Sequence, residues 1–536
     1  MSPSITSVTE KPSSTPPRVR RWWAARWRAA VAGVAAVVAG LGVAELAAVL
    51  LAPTGSPLLV VGSLVIDLVP GWVKDLVIAL FGTGDKVVLL VCLGILTVVL
   101  AVAAGALEQR RSPIGRILIA VIGVVPALAA LTRKNAGQLD VLPTLVAVVV
   151  AMIVLNWLVK RARTASVTPG TVAGMTDARL SLDRRRFLAL SGAATATGLL
   201  AAVGGRMLNA GRQVASTART LVRLPKPAAL VEPIPAGASL DVKGLSPLVT
   251  PNADFYRIDT ALQVPIVDPK TWKLTIGGMV EHPITIGFDE LIALPLEESY
   301  TTLMCVSNYV GGDLIGNAKW LGYPIRELLK RAVPKAGADM VLSTSVDGFT
   351  ASSPLEALTD ERNAILAVGM NGEPLPFEHG YPVRMVVPGL YGYVSATKWV
   401  VNLEVTTFAK HTAYWTDRGW SEKGPIKTSS RIDVPSGNAR VKAGTVAVAG
   451  VAWAQHRGID GVQVRVDNGP WNAAELGTPI SVDTWRQWVW AWPATRGSHR
   501  LSVRAIDASG AVQTAALADV VPNGATGLHT IDVTVT

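Results

Sequence analysis

The sequence predicts three kinds of structure in one chain: an N-terminal α-helical membrane domain, a mixed α+β domain and a C-terminal β-sandwich. Three observations predict this. Half of the 536 residues are hydrophobic and only 17% are charged, against about 25% charged in a soluble globular chain. Apolar runs of spanning length fill the first 205 residues. After about residue 249 the texture changes to short strand-like runs mixed with helical pieces, and after about 430 to strands alone. A single small domain and a mainly disordered chain are both excluded.

The N-terminal part follows from length and charge. Residues 1–28 form a basic tail, and a helical domain covers 29–160. Within it, residues 29–52, 86–107, 115–132 and 139–158 each approach the ~20 residues needed to cross a ~30 Å hydrocarbon core. Residues 57–82 are apolar but carry Pro70, Gly71, Lys74 and Asp75, and they read as an outside or re-entrant segment. Residues 161–205 link to a last run, 187–205. Arginine and lysine set the orientation. Arg18, Arg20, Arg21, Arg26 and Arg28 precede the first run; Arg110, Arg111 and Arg116 separate the second and third. Lys160, Arg161 and Arg163 follow the fourth, and Arg184, Arg185 and Arg186 precede the fifth. The positive-inside rule puts all of them in the cytoplasm and everything after about 206 outside. The net charge of +11 thus flanks membrane helices, and nucleic acid is not an expected partner. The run DRRRFLALSG before the last helix has the pattern of a twin-arginine export signal, a route for proteins folded around a cofactor. An ordinary basic flank has the same composition.

The outward part begins with a Pro-rich linker, 206–248. In 249–428, the runs TWKLTI, VLSTSV and VRMVV read as strands and YPIRELLKRAV as a helix. In 429–536, VAVAGVAW, VQVRV, WRQWVWAW and HRLSVRAID alternate between turn signals such as DNG, the pattern of a β-sandwich. Trp453, Trp471, Trp485, Trp488, Trp490 and Trp492 supply large buried area, mostly core, with one or two at an interface.

The chain has two cysteines, Cys92 and Cys305, so no disulfide framework exists. Cys92 lies in a span and reads as packing. Cys305 is the lone thiol of the outward part. Taken singly it also fits a small buried hydrophobe. A thiolate, however, is a soft and strongly donating metal ligand. It follows a strand-like run and precedes a Gly-rich turn in LMCVSNYVGGDLIGNAKWLGYPIRELL. Downstream, EHGYPVRMVVPGLYGYVSATKW brings a histidine, an arginine and a lysine close together, with glycines that admit a ligand near the backbone.

From about residue 249 to 536 the chain resembles the sulfite oxidase family of molybdopterin enzymes. The likeness rests on TPNADFYRIDTALQVPIVDPKTWKLTIGG, MCVSNYVGGDLIGNAKWLGYPIRELL, MNGEPLPFEHGYPVRMVVPGLYGYVSATKW and the Trp-rich end. The resemblance implies a sulfite-oxidase-like domain followed by an immunoglobulin-like dimerisation sandwich. It implies one molybdenum–molybdopterin per chain, with Cys305 as the metal's protein ligand and catalytic residue. By position, His379, Arg384, Ala396, Thr397 and Lys398 would bind the cofactor, whose phosphate needs charge-assisted donors. Tyr256 and Arg257 would line the pterin.

The chain departs from the sulfite-oxidising members in three places. Arg257 falls one position early and the family's following histidine is absent. Asn308 is followed by Tyr309 where an arginine is expected, and Phe349 stands where a tyrosine is expected. Together these weaken the case for sulfite. What the resemblance implies is therefore a two-electron oxygen-atom transfer on a small substrate, either sulfite-like oxidation or sulfoxide or N-oxide reduction. The spans contain no histidine and the chain has no Cys-x-x-Cys-His, so no haem is expected. Electrons would pass to or from an external cytochrome or the quinone pool. A metal-free sensory or partner-binding protein on the same fold is the alternative. Glu45 is a candidate intramembrane acid.

Overall fold

The computed structural model describes residues 17–52, 55–70, 84–132, 137–164, 177–212 and 222–536, with a few positions between them. Lys74, Asp75 and residues 213–218 of the linker lie outside the described residues, as do the side chains of Arg18, Arg20, Arg21, Arg26 and Arg184. Two compact units are present, one mostly of the helices up to Arg212 and one built mainly of Gln213–Thr536.

Among the described residues of the helical unit, five helices are long and apolar enough to cross a membrane: Trp27–Leu51, Lys86–Arg110, Ile114–Thr132, Leu139–Arg163 and Arg185–Gly204. They coincide with the five apolar runs. The helix Pro57–Leu68 has only 12 residues, and its C-cap Val69 turns extended because Pro70 follows. The last helix continues to Arg212, past the linker boundary expected at 206.

Small residues let these helices approach closely. A Cβ at Gly33 would collide with the Ala101 carbonyl, and one at Gly105 with the Ala29 carbonyl. Gly42 meets Gly198 in the same way. This is the small-residue packing that replaces hydrophobic driving force between helices in an apolar medium. At one end, Glu108 is buried and accepts hydrogen bonds from Ser112 (2.7 Å) and Arg116 Nε (3.0 Å). Arg163 donates to the carbonyls of Glu108 and Gln109, satisfying the end of that helix. Glu45 accepts a hydrogen bond from Ser56 at 2.6 Å.

The second unit holds four sheets. The first runs β2 (Ile284–Gly287), β1 (Lys273–Gly278), β10 (Val400–Thr406), β5 (Met340–Ser345), β6 (Thr350–Pro354). Its β1–β10 pair is parallel and the rest are antiparallel. The second runs β3 (Glu297–Met304), β4 (Ile315–Pro324), β7 (Ile365–Met370), β8 (Glu373–Pro374), with β9 (Arg384–Val386) also on β7. The helix Ile325–Ala332 buries Ile325, Leu328, Leu329 and Ala332, the i, i+3, i+4, i+7 face that its sequence spells.

The C-terminal region is β-rich. One sheet runs β11 (Ser429–Val434), β13 (Gly444–Trp453), β17 (Arg486–Ala494), β16 (Glu475–Leu476). The other runs β12 (Arg440–Val441), β19 (His529–Val535), β18 (Gly497–Asp507), β14 (Ile459–Val466), β15 (Trp471–Ala473). Val448, Trp488 and Trp492 of the first share one core with Val462, Leu501 and Val533 of the second. Trp453 and Trp485 belong instead to the core of the preceding α+β region. Trp471 and Trp490 are half-buried.

Backbone and side chains tie β3 to this C-terminal region. Thr302 donates its N–H to the Asp483 carbonyl (3.0 Å), and its hydroxyl accepts from the Trp485 N–H (2.8 Å). The same hydroxyl donates to Asn317 on β4 at 3.1 Å.

Candidate functional site

Cys305 is the residue that follows β3. Its N–H donates to the Leu314 carbonyl and its carbonyl accepts from Asn308. Asn308 Oδ1 accepts the Leu314 N–H at 2.9 Å, so its side chain closes the loop 305–314. The sheet and this staple hold the sulfur in place. It opens onto a cavity that is partly continuous with solvent.

Tyr256, His379, Arg384, Ala396 and Lys398, all expected from the sequence, line the same cavity as Cys305. Phe255 organises one wall: its ring stacks on Tyr256 (5.3 Å) and meets His379 (5.6 Å) and Trp320 (5.9 Å) edge to face. His379 Nε2 lies 3.1 Å from the Asn252 carbonyl. A carbonyl only accepts, so Nε2 carries the proton. Arg384 leaves β9 and is buried. It donates to the carbonyls of His379 (3.1 Å), Met385 (3.3 Å) and Ala396 (3.4 Å) and lies 5.1 Å over the Trp320 ring. Among the described residues no carboxylate pairs with it. Lys398 donates to Asp259 (2.7 Å) and to the Glu378 carbonyl (3.1 Å).

Two expected residues are not on the cavity wall. Arg257 is partly exposed and donates to Asp259 at 2.9 Å. Thr397 is buried behind it, with its hydroxyl 2.7 Å from that of Ser343. Tyr309, which follows Asn308, is 46% exposed and does not line the cavity either. The sequence reading missed Asp259, Ser345, Asp347, Tyr393, Trp415 and Trp420, all in the wall. Asp259 was the most findable, standing two residues from Arg257 in DFYRID.

Burial sets the charge states. It pushes the Cys305 thiol up, and the Ser307 backbone and side chain pull it partway back. It holds Tyr256 protonated, with the neighbouring Cys305 adding to the rise. Burial lowers Arg384 to about 10 and Lys398 to about 8, the latter against the opposing pull of Asp259. His379 falls to about 4, through burial first and the nearby Arg384 second.

One expected result follows from His379. Its unfolded form takes up a proton near pH 6.5, the folded form only near 4. The unfolded chain binds more protons between these values, so stability falls as pH drops through that window. The full loss is on the order of 3 kcal/mol. Thermal unfolding of the metal-free protein at pH 7 and pH 4.5 measures it. His379→Gln should remove most of the difference; an unchanged difference would refute the assignment.

The donor set tests what the cavity can hold. Among the described residues no group of three or more His, Cys, Asp or Glu forms a metal site. Cys305 alone cannot retain a metal ion, so any metal here arrives with ligands of its own. Ser345 Oγ, buried in the cavity wall, has no hydrogen-bond partner among the described residues. Arg384 is a buried cation without an anion. A polar, anionic group bearing its own metal ligands satisfies all three at once.

Residues 261–415 match the family model described as an oxidoreductase molybdopterin binding domain. The chain is 29% identical over 288 residues to mitochondrial sulfite oxidase of Mus musculus, covering 45% of this chain and 52% of that protein. It is 30% identical over 273 residues to sulfite oxidase of Arabidopsis thaliana, covering 42% and 69%. It is 31% identical over 238 residues to the protein-methionine-sulfoxide reductase catalytic subunit MsrP of Burkholderia mallei, covering 40% and 66%. The chain spans about half the length of the mouse relative. With the cavity's donor set, these matches identify the chain as a molybdopterin-dependent oxidoreductase of the sulfite oxidase family.

Proposed function

We propose that this chain is a membrane-anchored, outward-facing molybdenum–molybdopterin oxidoreductase that moves an oxygen atom to or from a small substrate in a two-electron reaction. The observation that carries the reading is the pairing, in one cavity, of a lone buried thiol with a buried arginine lacking an anion. When bound, the cofactor supplies the two-electron couple and the oxygen-transfer site. Cys305 holds the metal as a thiolate, which the Ser307 and Val306 backbone stabilises against burial. Arg384, Lys398, His379 and the Ala396 backbone hold the phosphate-bearing end. Tyr256 keeps its proton and offers a neutral donor. Arg257 and Thr397 act from behind: Arg257 shares Asp259 with Lys398, and Thr397 fixes the strand through Ser343.

The five apolar helices support integral membrane attachment. The gathering of Arg116 and Arg163 around Glu108 at one end of the helices supports the positive-inside orientation. Arg184 and Arg185 before Phe187 and Leu188 support twin-arginine export. The two-sheet C-terminal region fits an immunoglobulin-like dimerisation domain, with half-buried Trp471 and Trp490 as interface candidates. Electrons pass to or from an external cytochrome or the quinone pool. The exposed Tyr309, where an arginine is expected in sulfite-oxidising members, favours sulfoxide or N-oxide reduction over sulfite oxidation.

Detergent-purified protein, matured with cofactor, tests this. We expect about one molybdenum per chain and turnover of a sulfoxide or an N-oxide with a reduced dye, or of sulfite with an oxidised one. Exported wild-type protein without molybdenum would instead favour a sensory or partner-binding role.

A further inference from the structure

The cavity wall contains two sets of residues of different chemistry. The first is basic: the cations Arg384 and Lys398, with His379 and Tyr256 beside them. The second is aromatic and acidic. Phe349, Tyr414, Trp415, Trp420 and Tyr393 form a continuous series of ring contacts, with successive centroids at 5.7, 5.2, 6.1 and 5.9 Å. All but Tyr414 line the cavity. Asp347 lines it as well, at the head of the series, where one carboxylate oxygen accepts the Phe349 N–H at 3.2 Å. Among the described residues no cation forms an ion pair with Asp347, and every cation of the wall belongs to the first set. The Tyr393 hydroxyl is already committed to the Ser421 carbonyl at 2.6 Å. The basic side chain of Arg418 lies over Tyr414, the one ring of the series outside the wall.

Aromatic faces beside a carboxylate attract a bulky cation whose charge is spread over carbon. They repel a small dianion and give a molecule without a positive centre nothing from the carboxylate. We propose that Asp347 with Phe349, Tyr393, Trp415 and Trp420 is the substrate subsite, and that the substrate is a tertiary amine N-oxide. Its positive nitrogen sits among the rings with its oxygen one bond away. This rests on the oxygen-transfer reading above and fixes its direction. The N–O bond breaks and the nitrogen keeps the electron pair. The oxygen leaves as water with two protons, and two electrons come from one quinol or from two equivalents of a reduced one-electron carrier.

The subsite can be probed without the cofactor. Tetramethylammonium should quench tryptophan fluorescence of the metal-free, detergent-purified full chain saturably. Asp347→Asn should weaken that binding by about tenfold, and Asp347→Glu should restore most of it. In molybdenum-loaded protein, Asp347→Asn should lower kcat/KM for trimethylamine N-oxide relative to dimethyl sulfoxide by a similar factor. Wild-type protein that does not bind tetramethylammonium, or binding indifferent to Asp347→Asn, overturns the subsite. So does faster turnover of sulfite than of the N-oxide, which would leave oxygen transfer itself standing. Saturable binding sensitive to Asp347, with no oxide turned over by loaded protein, sinks the reaction while the cation subsite survives.

Discussion

Cys305→Ser is expected to leave a folded, exported protein with less than about a tenth of the wild-type molybdenum and no turnover. A serine hydroxyl is nearly isosteric but ionises far less readily than a thiol, so it is a poor partner for a soft, oxidised metal. The fold should tolerate the change. The loop around position 305 is held by backbone hydrogen bonds and by Asn308 Oδ1, none of which involves the sulfur. The stability cost should stay near about 1 kcal/mol, the scale of one altered buried contact. Elemental analysis with thermal unfolding on the same sample checks both parts. A variant that keeps its molybdenum would remove Cys305 from the metal; one that unfolds would make the residue structural.

Arg384→Met should have opposite effects on the metal-free and loaded forms. In the metal-free protein, Arg384 is a buried cation facing carbonyls and the Trp320 ring with no counter-charge. Replacing such a charge with a well-packed apolar side chain often stabilises, by ~1–4 kcal/mol. Burial already lowers Arg384 to about 10, the sign expected of a charge held at a cost. In the loaded protein the same substitution removes charge-assisted bonds to the cofactor phosphate, each worth ~1.5–3 kcal/mol. Cofactor retention after dialysis should fall at least about tenfold, while the metal-free protein melts at the same or a higher temperature. A purely structural arginine would lower the melting temperature of both forms together.

Much of the architecture was readable because it is local. The runs TWKLTI, VLSTSV and VRMVV became β1, β5 and β9, and the helix Ile325–Ala332 buried the face its spacing marks. Cys305 stood out because a lone thiol in the outward part is chemically conspicuous. Other residues were out of reach for a stated reason. Ser345 reads as one more strand residue. Only the pairing of β5 with β10 brings it near the segment that follows Arg384. Trp415 and Trp420 lie in a stretch with no periodicity, so nothing local predicts that they line the cavity. The resemblance implied that Arg257, with Tyr256, lines the pterin. In the structure its side chain pairs with Asp259, the carboxylate that Lys398 also holds.

The seam between β3 and the turn Asp483–Trp485 bears on how this protein fails. Thr302 stands three positions before Cys305, and its backbone and hydroxyl are gripped by residues close to the carboxyl end. A premature stop codon between Val434 and Asp483 would therefore spare every side chain of the cavity yet remove the residues that hold the strand leading to the thiol. Such an allele and a loss of Cys305 would share one phenotype, and neither could rescue the other in trans.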